Sequence, residues 1–216
     1  MFVVTADQRG STRVGNRVEE LLTWFDGWAP AWADDIALPL ERTVGDEVQT
    51  VLTTPESALD LALSLMRHGN WSVGIGAGEV ELPLADSSRA SSGPAFIYAR
   101  RAVERARGKA EPTPLVVAGS DEVTEERATA VVQLLGAVVR KRSDAGWEVA
   151  DLAREGLTQK AIAHRLDISA QAVSQRSAAA LLDEEQRARP VATYLLSTAA
   201  RGALDTGHVD RDAGQS

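Results

Sequence analysis

Apolar residues recur at two different spacings along the chain, and the spacing changes character near residue 121. Phe2-Val3-Val4-Thr5-Ala6 is a continuous apolar run that predicts a short buried strand, closed by Asp7 and the turn residues Gln8-Arg9-Gly10-Ser11-Thr12. Val14, Val18, Leu21, Leu22 and Phe25 then fall at helical spacing, up to a break at Gly27-Trp28-Ala29-Pro30. Residues 38–52 read as two strands joined by Val44-Gly45-Asp46-Glu47; Gly beside Asp is a hairpin signal, and Thr and Val are enriched on both arms. Pro55 opens a helix whose inner face is Ala58, Leu59, Ala62, Leu65 and Met66, and Gly69-Asn70 ends it. Trp71-Ser72-Val73-Gly74-Ile75-Gly76-Ala77-Gly78 predicts a strand with glycines where side chains would crowd a neighbour. After a polar loop over 86–92, Gly93-Pro94 opens a helix through Arg107, and Leu115-Val116-Val117-Ala118 is a further strand. The order βαββαβαβ predicts an α+β fold, a sheet covered by helices.

From Glu122 onward strand signals vanish. Helices are expected over 124–142, 145–155, 158–165, 170–182 and, last, near 190–204, followed by a small, polar tail. The expected organisation is a domain over 1–120, a helical domain over 121–205 and a flexible tail over 206–216. The charged cluster Arg140-Lys141-Arg142 is an alternative boundary, and no internal repeat is present.

Within the helical part, residues 157–180 have the pattern of a helix-turn-helix. Thr158 is placed to cap the first helix and Ser169 the second. Ile162, Ala163 and Leu166 share one face, Ile168 sits in the turn, and Val173 packs back from the second helix. That geometry presents Ala170, Gln171, Ser174 and Gln175 outward, next to the capping Ser169. Gln and Ser can hydrogen-bond base edges in a major groove. Lys160, Arg165 and Arg176 are placed to meet phosphates, so double-stranded DNA is the expected partner. Asp167 stands where a turn Gly is usual, and Arg176 where an apolar residue is common. The local alternative is a helical hairpin whose Gln and Ser are merely solvated. No hairpin follows the second helix, which favours a wingless type.

Composition narrows the chemistry. The chain has 216 residues, 44% hydrophobic and 25% charged, the balance of an ordinary globular protein. With 0 Cys, thiolate zinc sites and cysteine nucleophiles are excluded, and the 3 His (His68, His164, His208) are too scattered for a histidine-ligated metal. Met1-Phe2-Val3-Val4-Thr5 runs straight into Asp7 without a basic leader or a long apolar stretch, so a cytoplasmic location and no membrane partner are expected. The formal charge of −8 argues against a bulk electrostatic grip on nucleic acid, so DNA would be met by a local patch. Arg154, Lys160, Arg165 and Arg176 outnumber Glu155 and Asp167 there.

Asp7 closes one strand and Asp46 lies in a hairpin turn. On neighbouring strands, the two carboxylates would leave the same sheet edge and could hold Mg²⁺, a hard cation that takes oxygen ligands. The local reading, in which Asp7 caps a helix and Asp46 serves the turn, is favoured by spacing alone. Four motifs bear on this choice: Thr5-Ala6-Asp7-Gln8-Arg9-Gly10-Ser11-Thr12, Glu41-Arg42-Thr43-Val44-Gly45-Asp46-Glu47, Trp71 through Glu79, and Gly93-Pro94-Ala95-Phe96-Ile97-Tyr98-Ala99-Arg100-Arg101. Their order resembles class III nucleotide cyclases over roughly residues 1 to 110. With the helix-turn-helix, the whole chain resembles the SatD family, described as transcriptional regulators. The resemblance implies a ferredoxin-like core, a homodimer, Asp7 and Asp46 as metal aspartates, Arg42 at a base-selecting position and Arg101, or its neighbour Arg100, at the transition-state arginine position. Two departures from the family tell against turnover: Ile97 and Ala90 stand where the cyclases carry a transition-state Asn and a second base-selecting acid. A missing donor for developing charge costs about 10²–10³ in rate. The expected function is thus a DNA-binding regulator with a cyclase-like dimerisation and sensor domain, with a nucleotide as candidate effector. A divergent cyclase and a protein-interaction module are the alternatives.

Three further features were weighed. The glycines of 74–78 lack the Lys and Ser/Thr of a phosphate loop and read as strand packing. Arg100, Arg101, Arg105, Arg107 and Lys109 form a basic run, either a solvated face or a grip on an anion or DNA backbone. Trp24, Trp28 and Trp32, four residues apart, predict a hydrophobic edge, a core patch or a dimer interface.

Overall fold

All side chains of β1 (Phe2–Gln8) are buried, because β1 is the middle strand of a five-stranded sheet of order β2-β3-β1-β4-β5. The computed structural model describes residues 1–10 and 15–201. The turn residues Ser11 and Thr12, Val14 of the first helix, His208 and the tail over 206–216 lie outside the described residues. After β1 come α1 (Val18–Trp28), a 3₁₀ segment (Ala29–Asp35), β2 (Ile36–Arg42), β3 (Glu47–Leu52), α2 (Pro55–His68) and β4 (Trp71–Ala77). Then follow α3 (Pro94–Arg107), β5 (Leu115–Ala118), α4 (Glu122–Lys141), α5 (Asp144–Arg154), α6 (Gln159–Leu166), α7 (Ala170–Ala179) and α8 (Leu182–Arg201). β1 pairs antiparallel with β3 and β4, and β2 with β3, while β5 runs parallel to β4. The architecture is therefore α+β: a mixed sheet with helices, then a largely helical region. Among the described residues no helix is long and apolar enough to cross a membrane.

Both faces of the sheet are covered. Phe2, Val4, Ala6, Val48, Val73, Ile75, Leu115 and Val117 join Leu59, Leu65 and Met66 of α2 in one large cluster. The same cluster contains Ala128, Val132, Leu135 and Val139 of α4 and Ala192, Leu196 and Ala199 of α8. The hydrophobic core thus runs across the boundary expected near residue 121, and α4 and α8 belong to the sheet's packing. Helices α5 to α7 keep a small core of their own, Val149, Ile162, Ala163 and Val173, with Leu152, Leu157, Leu166, Ile168 and Leu182 around it.

The opposite face carries α3, with Val80 and Leu84 of the preceding loop packed beside it. A Cβ added at Gly76 would lie 2.0 Å from the Ala95 carbonyl oxygen, and one at Gly74 would lie 2.3 Å from the Val103 nitrogen. Only glycine lets this helix lie directly on β4. Small residues complete the contact from the other side, since Ala95, Ala99, Ala102 and Ala106 are all buried.

The end of the chain departs from expectation. The last helix begins at Leu182, not near Pro190, which lies inside it. Leu181 takes a left-handed conformation (φ 54°) that stops the preceding turn. Asp183, Glu184 and Glu185 in the new first turn suit the positive end of its dipole. Pro190 leaves the Gln186 carbonyl without its helical donor, and both residues are exposed, so water can replace it.

One buried charge joins the two parts. Arg142, the C-cap of α4, donates through Nε and Nη2 to the Ala180 carbonyl at 3.2 and 3.0 Å and through Nη2 to Glu185 at 2.5 Å. Its guanidinium also stacks 4.4 Å from the Trp147 ring centroid. Arg189 reaches both Glu185 (2.9 Å) and Asp60 of α2 (3.1 Å). On the outside, Arg67 clamps Asp151 with bonds of 2.6 and 2.7 Å, and its guanidinium lies 3.8 Å from the Trp147 ring centroid.

Two stability outcomes follow from this packing. Gly76→Ala destabilises by about 3 kcal/mol or more, because the α3 backbone must move; chemical denaturation measures it. Arg142→Met costs about 3–5 kcal/mol, since it strips the buried Ala180 carbonyl of its side-chain donor and leaves the buried Glu185 carboxylate with Arg189 alone. Arg189→Met costs less, because that side chain is 25% exposed against 1% for Arg142.

Candidate functional site

Helices α5, α6 and α7 each begin at a capping side chain. Ser143, Thr158 and Ser169 accept the amide protons of Gly146 (3.2 Å), Ala161 (3.3 Å) and Ala172 (3.1 Å) at the starts of α5, α6 and α7. Between α6 and α7 the chain reverses at Asp167, left-handed at φ 52° and ψ 46°. Asp tolerates this conformation better than most residues, so the missing Gly does not prevent the turn. The Ile168 amide then donates to the Ala163 carbonyl at 3.0 Å. Leu166 and Ile168 fold inward against the small core.

Outward from this frame, Ser169, Ala170, Gln171, Ser174 and Gln175 are exposed, as are Lys160 and Arg165. Arg176 is not alike: it is half-buried and its Nη1 bonds Glu148 of α5 at 2.8 Å. It ties α7 to α5 instead of standing free for phosphate. Arg154 turns away from this face and lines a cleft between α5 and the sheet's helices.

A second group of polar residues gathers under the C-terminal part of α3. The register places Asp7 between Glu47 of β3 and Ser72 of β4, and Asp46 follows in the turn, its carbonyl accepting the Gln8 amide at 3.3 Å. All three row residues are buried, although two are carboxylic acids. Ser72 Oγ is enclosed without a hydrogen-bond partner among the described residues. From α3, Arg107 Nε lies 3.3 Å from Asp7 and Arg100 Nη1 lies 3.6 Å from Glu47. Burial pushes the Asp7 carboxyl above the usual range; Arg107 opposes this, Asp46 and Glu47 add to it, and Arg100 opposes it.

The remaining candidates go elsewhere. Arg42 pairs in register with Val48, on the α1 side of the sheet, and bonds Glu19 of α1 at 3.0 Å. It is on the face opposite Asp7. Arg101 donates to the Gly119 carbonyl at 2.8 Å and to Glu125 at 2.5 Å, while Arg105 binds Glu111 and Glu126. The basic run of α3 is therefore largely neutralised by acids. Of the two arginines the resemblance left open, Arg100 and not Arg101 faces the carboxylates. Arg107 and Glu47 were not singled out as site residues. Arg107 was legible as Arg100 plus two helical turns, and Glu47 as the strand residue opposite Asp7.

The arrangement does not fit a divalent cation. Among the described residues no group of three or more His, Asp or Glu is disposed to hold a metal ion, and guanidinium groups already stand against Asp7 and Glu47. What the row can do is hold ionic strain in a buried sheet edge. Comparisons of the chain with protein-family models, with curated proteins and with solved structures found no match.

A pH outcome follows for Asp7. A carboxyl whose folded pKa lies above its unfolded value of 3.8 weakens the fold increasingly as pH rises through the folded pKa. Asp7→Asn is therefore expected to raise the melting temperature at pH 7, with the gain vanishing below pH 3.8, where both states hold the proton. A melting temperature lowered at pH 7 would contradict the sign.

Proposed function

We propose that this chain is a sequence-specific DNA-binding regulator whose α+β part is a dimerising and sensing body. The observation that carries the reading is the outer face of α7: Gln171, Ser174 and Gln175 are exposed on a helix that is capped, supported from behind by Val173 and preceded by a tight left-handed turn. Gln can make a bidentate contact to an adenine edge, and Ser either donates or accepts. Lys160 and Arg165 flank that face as phosphate contacts. Dimerisation would set two such helices about one DNA turn apart, ~34 Å, and favour a palindromic site.

The α+β part supports a ferredoxin-like reading of the cyclase type, because β4-β1-β3-β2 with all neighbours antiparallel is the order a βαββαβ unit of that kind adopts. The likeness to cyclases and to the SatD family rests on the sequence motifs alone. A divergent cyclase is the weaker alternative: Arg42 and Arg101 turn away from Asp7, and Ile97 is 69% exposed where a donor to substrate would be needed. A nucleotide effector and Mg²⁺ have no fitted site in the Asp7 row, and a sensed ligand is better sought elsewhere.

Fluorescence anisotropy of the whole chain with its own upstream DNA tests the proposal. The expected result is salt-sensitive, sequence-selective binding. Gln171→Ala with Gln175→Ala lowers specific affinity about tenfold or more and relaxes base preference. Lys160→Ala and Arg165→Ala weaken all sequences alike and flatten the salt dependence. Absence of any selective binding would overturn the reading and leave a protein-binding role for α7.

A further inference from the structure

A cleft runs between the helix-turn-helix and the sheet's helices, in two lobes of about 670 and 700 Å³ that share Gly27, Trp28 and Arg154. Each lobe is within the size range of small-molecule sites. One wall is aromatic. Trp28 and Trp32 stack with ring centroids 5.9 Å apart and planes 21° apart, and Trp24 lines the second lobe beside His68. All three tryptophans are half-buried. Trp28 packs on the buried Phe25 ring (centroids 5.2 Å apart) as well as on Trp32, and Trp32 is the one of the three outside the main core cluster, so its ring offers the open aromatic surface of the first lobe.

The charges of the cleft are unevenly satisfied. Asp60 is saturated: one oxygen accepts Trp28 Nε1 at 3.0 Å and the other accepts Arg189 at 3.1 Å. Glu185 is held by Arg142 and Arg189. Arg154 has no ion-pair partner among the described residues, is exposed, and borders both lobes. A flat indole wall facing a lone guanidinium selects a flat ligand with one anionic end: the ring stacks on indole, and the carboxylate takes the fork of the arginine.

We propose that this cleft binds a planar aromatic carboxylate, its ring extending the Trp28–Trp32 stack on the Trp32 side and its carboxylate on Arg154. The ligand would touch α1 and the 3₁₀ segment on one side and α5 on the other, so its occupancy sets the spacing between the sheet and the helix-turn-helix. That consequence for DNA rests on the proposed function; the binding site does not.

Isothermal titration calorimetry of the full chain with 2-naphthoate, and with the neutral 2-naphthalenemethanol as control, tests the site. Naphthoate is expected to bind at least about tenfold more tightly than the alcohol, and Arg154→Gln should erase that difference. Gly27→Leu supplies a second variant, because a Cβ there meets nothing within 4 Å and the side chain grows into both lobes. It should abolish binding of both compounds while circular dichroism and melting temperature show an intact fold. No binding of naphthoate, or equal binding by Arg154→Gln, overturns the proposal. Saturating naphthoate that shifts DNA affinity supports the regulatory consequence, and an unchanged DNA affinity removes that consequence. Ligand binding in a chain that binds no DNA would overturn the proposed function and leave the cleft assignment standing.

Discussion

The Arg142 guanidinium decides how helices α5 to α7 are attached. It is buried at the junction of α4, α5, α7 and α8, where it must be paired on every side, because an uncompensated buried cation costs several kcal/mol. Its partners are the Ala180 carbonyl, at the C-cap of α7, and the Glu185 carboxylate, in the first turn of α8. Burial alone would raise the Glu185 carboxyl, but the Arg142 hydrogen bond and the charges of Arg189 and Arg142 hold it below the usual range. The pair is therefore ionised at neutral pH and directional. A purely apolar contact at this point would tolerate rotation of α7 relative to α8; a guanidinium shared between a carbonyl and a carboxylate does not.

That attachment explains why the helical region does not form a separate lobe. Helices α4 and α8 give their apolar faces to the sheet, and only α5 to α7 project as a unit with a four-residue core. So small a core cannot stabilise three helices by itself. The caps and the Arg142 and Arg67 clamps supply the remainder, so the presentation of α7 depends on contacts made far from its exposed face. The cleft lined by Trp28 and Arg154 opens beside those same clamps, where the two parts meet.

Much of this was legible in the sequence. The short apolar runs and turn signals over residues 2–118 marked the strands in order, and Gly74 and Gly76 signalled the close approach of a neighbour, which proved to be α3. Thr158 and Ser169 marked the starts of α6 and α7 to the residue. What escaped were relations between distant elements. The sharing of one core by α4, α8 and the sheet follows from three-dimensional packing that periodicity does not encode. Pro190 misled because its local preference for a first turn yielded to an exposed position where water replaces the lost bond. Arg42 and Arg101 were assigned by motif position, but strand alternation and helix phase turn one to the opposite face and the other towards Gly119. Arg176 shows the same lesson in the helix-turn-helix: a cation's neighbours decide whether it is free, and Glu148 lies 28 residues away in sequence.

The net charge of −8 and the DNA-binding role proposed for α7 are compatible because of where the acids lie. On α3, α4 and the sheet edge, carboxylates are consumed by arginines: Glu125 by Arg101, Glu126 and Glu111 by Arg105, Asp7 by Arg107. Around α6 and α7, Lys160 and Arg165 stand exposed beside Asp167, with Arg176 withdrawn into its pair. The local excess of positive charge is thus small, and screening at physiological salt confines it to about 8 Å. Under the proposed function such a surface would attract a phosphate backbone only weakly at a distance, and discrimination would have to come from the base-edge chemistry of Gln171, Ser174 and Gln175.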